Sequence, residues 1–263
     1  MCKVMGMKVL IAESKTMRED GVALPAEVFD AHKPAGEEVA DEVMHRVALR
    51  SVAEICAEVK VSAAMASKIL RMAYDFPVKQ VGRKAIEAYT GVVFKAFDYE
   101  SLSADDKIVT AESVRLISSL YGWLRPDDIV KPYRMEFTTR LAPGDKTFIE
   151  SWRKDVTIRL VRDLQESDAT SVINLLPSDA AKCVDWKLLK RFGKVWKVDF
   201  KQLTDGGVYR TPHAGKLKAL RGELLREIVM RRISSADELL TLSTDSFLPL
   251  GTPDYPDHIA FCV

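Results

Sequence analysis

Cysteine is scarce in this chain and scattered. Its 263 residues include only Cys2, Cys56, Cys183 and Cys262, with no C-x-x-C pair among them. Such spacing argues against a zinc knuckle or a disulfide framework and predicts reduced thiols, some of them buried, with Cys2 and Cys262 near the termini exposed. Histidine is equally thin: His32, His45, His213 and His258 lie too far apart in sequence to suggest a metal cluster. No metal and no cofactor is therefore expected. Long apolar runs are missing as well. Nothing approaches about eighteen consecutive apolar residues, so no membrane span is predicted. The run from Val9 to Ala12 is too short for the core of a signal peptide, and a cytoplasmic location follows as the expectation. G-x-x-x-x-G-K-[ST], G-x-G-x-x-G after a strand and H-E-x-x-H do not occur, which removes the commonest nucleotide and zinc motifs. There is no nucleophile elbow to support a Ser-His-Asp triad. Repeats, low-complexity tracts and evident linkers are also lacking, so one mixed α/β domain spanning 1–263 is the economical reading.

What is present suits a soluble globular chain, with 47% hydrophobic and 29% charged residues. Net charge is only +1, but it is unevenly spread. Residues 182–232 hold fourteen Lys plus Arg against five Asp plus Glu, an excess of nine, so the rest of the chain carries minus eight. That asymmetry suits an anionic partner such as nucleic acid, or else solvated helix faces.

Periodicity supplies the elements. Residues 7–12 (MKVLIA) read as a buried strand, and 20–36, with Gly21, Pro25, Pro34 and Gly36, as an irregular connection. Apolar Val39, Val43 and Val47 predict a helix over 37–50. A second helix is expected over 52–60 and a third after Ser62, a candidate N-cap. The pair, about 52–73, is a candidate helix-turn-helix or helix-hairpin-helix unit, although its hairpin lacks glycine. "YTGVVFKAF" (89–97) reads as a strand with Gly91 at a close approach. Residues 110–124 read as a helix ended by Pro126, and 145–164 as a helix burying Phe148, Trp152, Val156, Leu160 and Leu164. Strands are expected at 171–177, 194–203 and 208–211, the last two joined by the turn at Asp205-Gly206-Gly207. A final helix is expected over 215–232. In it Arg221-Gly222 stands out, because glycine inside a helix signals close packing.

Three features point to chemistry. Lys15 follows the first strand, where open α/β sheets place ligands. In "YGWLRPDDIVKPYRMEF" (121–137), Arg134 and Glu136 alternate with Tyr133, Met135 and Phe137, which in a strand gives a charged face and an apolar one. Glu136 is expected to hold Arg134 or Arg125 in a fixed fork, either pinning the segment or anchoring an anion. Asp127-Asp128 reads as turn chemistry. Arg221 would aim at something anionic.

Together these residues resemble the YaaA family of bacterial peroxide-stress proteins, most closely across "RLISSLYGWLRPDDIVKPYRMEF". "SKT" (14–16), "YTGVVF", "VINLLPSD", "KALRGELLREIV" and "VSAAMASKILR" are similar to further family elements. The chain departs from the family pattern at Glu13, Val92, Ala219 and the terminal "IAFCV". The resemblance implies a compact α/β fold with a central mixed sheet and a basic cleft. It implies DNA binding and a role in limiting free iron and oxidative damage under hydroperoxide stress; the basic excess over 182–232 adds the expectation of low-specificity binding to double-stranded DNA, and a monomer is expected. Candidate phosphate or ligand contacts are Lys15, Arg125 and Arg134, with Lys216, Lys218 and Arg221 from the basic excess over 182–232. DNA contacts of the helix-hairpin-helix-like unit fall on Ser62, Ser67, Lys68 and Arg71. Two other classes compete: an enzyme acting on a small anionic, nucleotide-like substrate with Glu136 as acid/base, and an interaction protein docking an acidic partner.

Overall fold

The computed structural model describes residues 6–77, 81–250 and 257–263; Cys2 lies outside them. Strand β1 (Met7–Ala12) is buried at every position. The short strand β2 (Val22–Ala23) and helix α1 (Ala26–Ala31) follow, where sequence suggested only irregular chain. Next come α2 (Glu37–Ala48), α3 (Val52–Val59) and α4 (Ala63–Asp75), then β3 (Val81–Lys84) and α5 (Ala85–Ala88). Helices α6 (Val92–Phe97) and α7 (Ala104–Ser113) lead into β4 (Val114–Ser118), β5 (Gly122–Leu124) and β6 (Ile129–Val130). Helix α8 (Phe148–Glu166) precedes β7 (Ser171–Asn174), α9 (Ser178–Ala181) and α10 (Trp186–Leu189). The chain then runs through β8 (Lys194–Leu203), β9 (Tyr209–Arg210), α11 (Ala214–Met230), α12 (Ala236–Leu239), β10 (Leu248–Pro249) and β11 (His258–Cys262).

The central sheet is mixed, in the order β10-β11-β8-β7-β1-β4-β5, with β9 paired to β8. β1, β4, β7, β8 and β11 are mutually parallel, while β5, β9 and β10 run antiparallel to their neighbours. Parallel strands covered on both faces bury every residue, so β1 and β4 read as mainly apolar runs, broken by Lys8, Arg115 and Ser118, rather than as alternations. A second, small sheet joins β2, β3 and β6.

Burial on both faces explains the first correction. Residues 110–124 are not one helix: α7 stops at Ser113, and Val114–Ser118 pairs with β1 on one side and β5 on the other. The apolar spacing that mimics a helical stripe is a strand buried on both faces plus a turn. Ser118 Oγ accepts from the backbone N–H groups of Leu120 and Tyr121 at 3.1 and 3.0 Å. Gly122 takes φ +72°, where any Cβ would strike the Trp152 ring at 2.6 Å. The second correction is at 92–97, a helix and not a strand. Gly91 is its N-cap, and Phe94 and Phe97, three residues apart, turn inward while Val92 stays exposed. In the third, residues 131–136 lie outside any helix or sheet, so the alternation of Tyr133–Phe137 is not a strand's.

Helix α8 buries Phe148, Trp152, Val156, Leu160 and Leu164 as their spacing predicts. Thr147 and Glu150 close a reciprocal capping box at its start. The Trp152 indole N–H donates to Ser119 O at 2.7 Å, tying the helix to the end of β4. Helix α11 packs on α6 through Gly222, where a Cβ would lie 2.2 Å from Val93 O. Cys183 is buried, whereas Cys56 and Cys262 are half-buried and reduced.

Candidate functional site at the carboxyl edge of the sheet

Because the parallel strands share one direction, their carboxyl ends form a single edge. At that edge β1 gives way to Glu13-Ser14-Lys15-Thr16, and the Glu13 amide donates to Ile117 O of β4 at 3.0 Å. Glu13 folds back between the strands. Its Oε2 accepts from the Ser119 amide at 2.8 Å and from the Tyr133 hydroxyl. The Tyr133 oxygen in turn lies 2.7 Å from both Ser118 Oγ and the Tyr89 hydroxyl. Desolvation pushes the Glu13 carboxyl up to about 7, against the opposing pull of the hydrogen bonds from Ser119 and Tyr133. Burial likewise raises the Tyr89 and Tyr133 phenols, and the nearby Glu13 carboxyl adds to it. Ser119 Oγ is buried with no hydrogen-bond partner among the described residues.

Immediately outside this network, Arg134 Nη1 donates to Lys15 O at 2.8 Å, and Lys15 Nζ meets Glu136 Oε2 at 2.7 Å. The structure thus brings Lys15, Arg134 and Glu136 together. Glu136 is the partner of Lys15, not of Arg134 or Arg125, because the irregular chain at 131–136 brings it across to the end of β1. Arg134 Nε is buried and has no partner among the described residues. The Lys15 side chain is 61% exposed, so the cluster lies on an open face. Gly91 lets the start of α6 close on this loop, since a Cβ there would lie 2.1 Å from Ser14 Oγ.

Along the same edge β8 turns through β9 into α11. Arg221 is half-buried, and desolvation lowers its guanidinium pKa despite the carboxylate of Asp199. Lys216 is half-buried and Lys218 exposed. The side chains of all three make no hydrogen bond or ion pair among the described residues. In the same basic segment Lys182, Lys190, Lys197, Arg226, Arg231 and Arg232 do have carboxylate partners.

Arg125 falls elsewhere. β5 runs antiparallel to β4, so Arg125 leaves at the sheet's amino edge, stacked 5.6 Å from the Trp123 ring centre. Its amide donates to Asp128 Oδ2 at 2.8 Å, the turn expected there. It borders a cavity of about 370 Å³ floored by Lys8, Arg115 and Asp163. Arg115 Nη2 meets Asp163 Oδ1 at 2.7 Å, while Arg115 Nη1 and Lys8 Nζ donate to the carbonyls of Ala111 and Glu112 at 2.9 and 2.7 Å. These cations cap the negative end of α7, which is a structural task.

The helix pair 52–75 keeps its polar side chains occupied. Ser62 caps α4 by accepting from the Met65 amide at 3.3 Å, and Ser67 Oγ donates to Ala63 O at 3.0 Å. Lys68 pairs with Glu19, and Arg71 lies 3.8 Å from the same carboxylate. Lys60, with φ 58°, fills the left-handed position that glycine would occupy in the hairpin.

Sequence reasoning missed Glu13, Ser118, Ser119, Tyr89 and Tyr133 as one network. Two signals pointed that way: an acid directly after an apolar strand, and the Ser118-Ser119 pair. Among the described residues no group of three or more His, Cys, Asp or Glu side chains is placed to hold a metal ion, and no helix is long and apolar enough to cross a membrane.

Comparison with known proteins supplies the remaining constraint. A family model described as "Peroxide stress protein YaaA" matches residues 7–248. A UPF0246 protein of Parabacteroides distasonis is 28% identical over 244 residues, covering 92% of this chain and 93% of its own. One from Shewanella baltica is 33% identical over 158 residues, 60% of each chain. One from Ralstonia nicotianae is 41% identical over 109 residues, 41% of this chain and 42% of its own.

Proposed function

The chain belongs to the YaaA family of peroxide stress proteins, and from that premise we propose that it binds double-stranded DNA through its carboxyl edge, with little sequence preference, and so limits hydroperoxide- and iron-driven damage. One observation carries the reading: Arg134 keeps a buried Nε–H with no partner among the described residues, beside the exposed ammonium of Lys15. An unmade bond at a buried donor costs about 1–3 kcal/mol. A phosphate oxygen would satisfy it once the guanidinium turns outward, and guanidinium suits that oxyanion geometrically. Lys216, Lys218 and Arg221, with no side-chain partners among the described residues, add positive charge on α11. An open face of cations contacting backbone phosphates gives affinity without base readout.

Titrating a fluorescent duplex over a salt series tests this. Each phosphate contact adds about one unit to the slope of log affinity against log salt. Replacing Lys216, Lys218 and Arg221 with Gln should flatten the slope by about one unit per true contact. No binding at low salt would sink the reading.

A second reading keeps the same cations but has them hold a small nucleotide-like substrate. Glu13 favours it, because a carboxyl near 7 beside two tyrosine hydroxyls is matched to general acid/base work. Turnover of nucleotides or oligonucleotides at neutral pH, abolished by Glu13→Gln, would support it over simple binding.

A further inference from the structure

Residues 202–210 stand clear of the sheet. β7 accompanies β8 only as far as Lys197 and β11 only as far as Lys201. Beyond that point β8 pairs with β9 alone, Gln202 opposite Arg210 and Leu203 opposite Tyr209. The ribbon closes through Thr204 N to Val208 O at 3.0 Å and Gly207 N to Thr204 O at 2.8 Å, with Gly207 at φ +74°. A Cβ added at Gly206 or Gly207 would meet nothing within 4 Å, so the tip is in open solvent.

The ribbon is apolar where water reaches it. Leu203, Val208 and Tyr209 are 51%, 55% and 49% exposed. Leu203 and Tyr209 face each other across the two strands, a pairing that contributes most when something covers it. The charge on the ribbon and in the chain that follows it is mainly positive: Lys201 and Arg210 on the ribbon, then Lys216 and Lys218 at the start of α11, none with a carboxylate partner among the described residues. Asp205 at the turn is the ribbon's one acid. A fitting partner is therefore anionic along its length and offers flat apolar faces between its charges. Nucleic acid with accessible bases has both, and a neutral apolar surface has only one.

We infer that the ribbon is a wedge for interrupted DNA: Leu203 and Tyr209 lie against bases at a gap, bulge or mismatch while the flanking cations hold the neighbouring phosphates. An intact duplex hides its base faces, and unstacking a step must be offset by new contacts. A gap presents those faces already open, and aromatic stacking on them is tolerant of sequence. The inference rests on the DNA reading above and adds a preference for interrupted over intact duplex.

The full chain is titrated into two duplexes, one intact and one gapped with 2-aminopurine beside the gap, following anisotropy and 2-aminopurine emission. The comparison uses wild type and the double variant Leu203→Ser with Tyr209→Ser, both at exposed positions that the fold does not require. Wild type should favour the gapped duplex, change 2-aminopurine emission, and lose about tenfold in affinity for it in the double variant, with the intact duplex little affected. Wild type that binds both duplexes alike, or a variant that keeps its preference for the gap, overturns the wedge while leaving DNA binding standing. Wild type that binds neither overturns the DNA reading and the wedge with it. A wild type that sediments as a dimer and a variant that sediments as a monomer would assign the patch to a second copy of this chain, which also overturns the wedge.

Discussion

Glu13 is a carboxyl that the fold holds at the wrong charge for neutral water. In the unfolded chain it ionises near 4.5, whereas the desolvated site raises it to about 7. Between those values the unfolded state loses its proton and the folded state keeps it. Stability therefore falls as pH rises through that window, and the loss is complete above about 7. Glu13→Gln retains an oxygen to accept from Ser119 N and the Tyr133 hydroxyl, but has nothing to titrate. By denaturant melts the variant should match wild type below about pH 4.5 and exceed it by about 2 kcal/mol near pH 8, a figure kept below the full shift because Glu13 is partly accessible. Equal stability of the two proteins across the range would show that water reaches the carboxyl. Nothing in the sequence displays this network, since Glu13, Tyr89, Ser118 and Tyr133 come from separate segments and no periodicity relates them. Lys15 and Arg134 were legible singly, one by its place after a strand and the other by its aromatic neighbours. The partner of Glu136 was not, because unladdered chain carries no register from which to read it.

Among the elements, those with one environment along their length were readable. α8 has an apolar stripe and a capping box, and β1 is apolar apart from Lys8; both lie where their patterns place them. The segment 110–124 was misleading because burial on both faces removes the alternation that marks a strand, leaving apolar residues at spacings a helix also satisfies. The short α6 failed for a related reason: six residues are too few to show a period. Its position is instead written in its partner, at Gly222 of α11. Replacing Gly222 with Ala would place a methyl 2.2 Å from Val93 O, so the two helices must part. We expect a loss of about 1–3 kcal/mol in thermal or denaturant unfolding. The same change should weaken DNA binding, because α11 carries Lys216, Lys218 and Arg221. An unchanged melting temperature would show that α6 is free to move away.

On the scale of the molecule, the parallel sheet separates two clusters of charge that sequence could not tell apart. "LRPDDIVKPYR" holds Arg125 and Arg134 nine residues from each other, yet one leaves the amino edge of β4 and the other meets the loop after β1. At the amino edge Lys8, Arg115 and Asp163 are almost wholly buried, and Asp163 is the carboxylate that both cations approach. Desolvation and the neighbouring Arg115 depress the Lys8 ammonium to about 8, so its charge is already costly at neutral pH. Removing the carboxylate makes that cost larger: Asp163→Asn should destabilise the fold by about 3–5 kcal/mol. DNA affinity of the protein that remains folded should be unaltered, because no proposed phosphate contact lies on that edge. Arg134→Lys should do the reverse. Its bond to Lys15 O joins two partly exposed loops, so the melting temperature should barely move, while an ammonium cannot supply the two-pronged contact that phosphate binding draws on. Measured side by side, melting curves and duplex titrations of these two variants should separate cleanly. If Asp163→Asn abolishes DNA binding at a temperature where the protein is folded, or Arg134→Lys leaves the affinity unchanged, then the functional edge has been placed at the wrong end of the sheet.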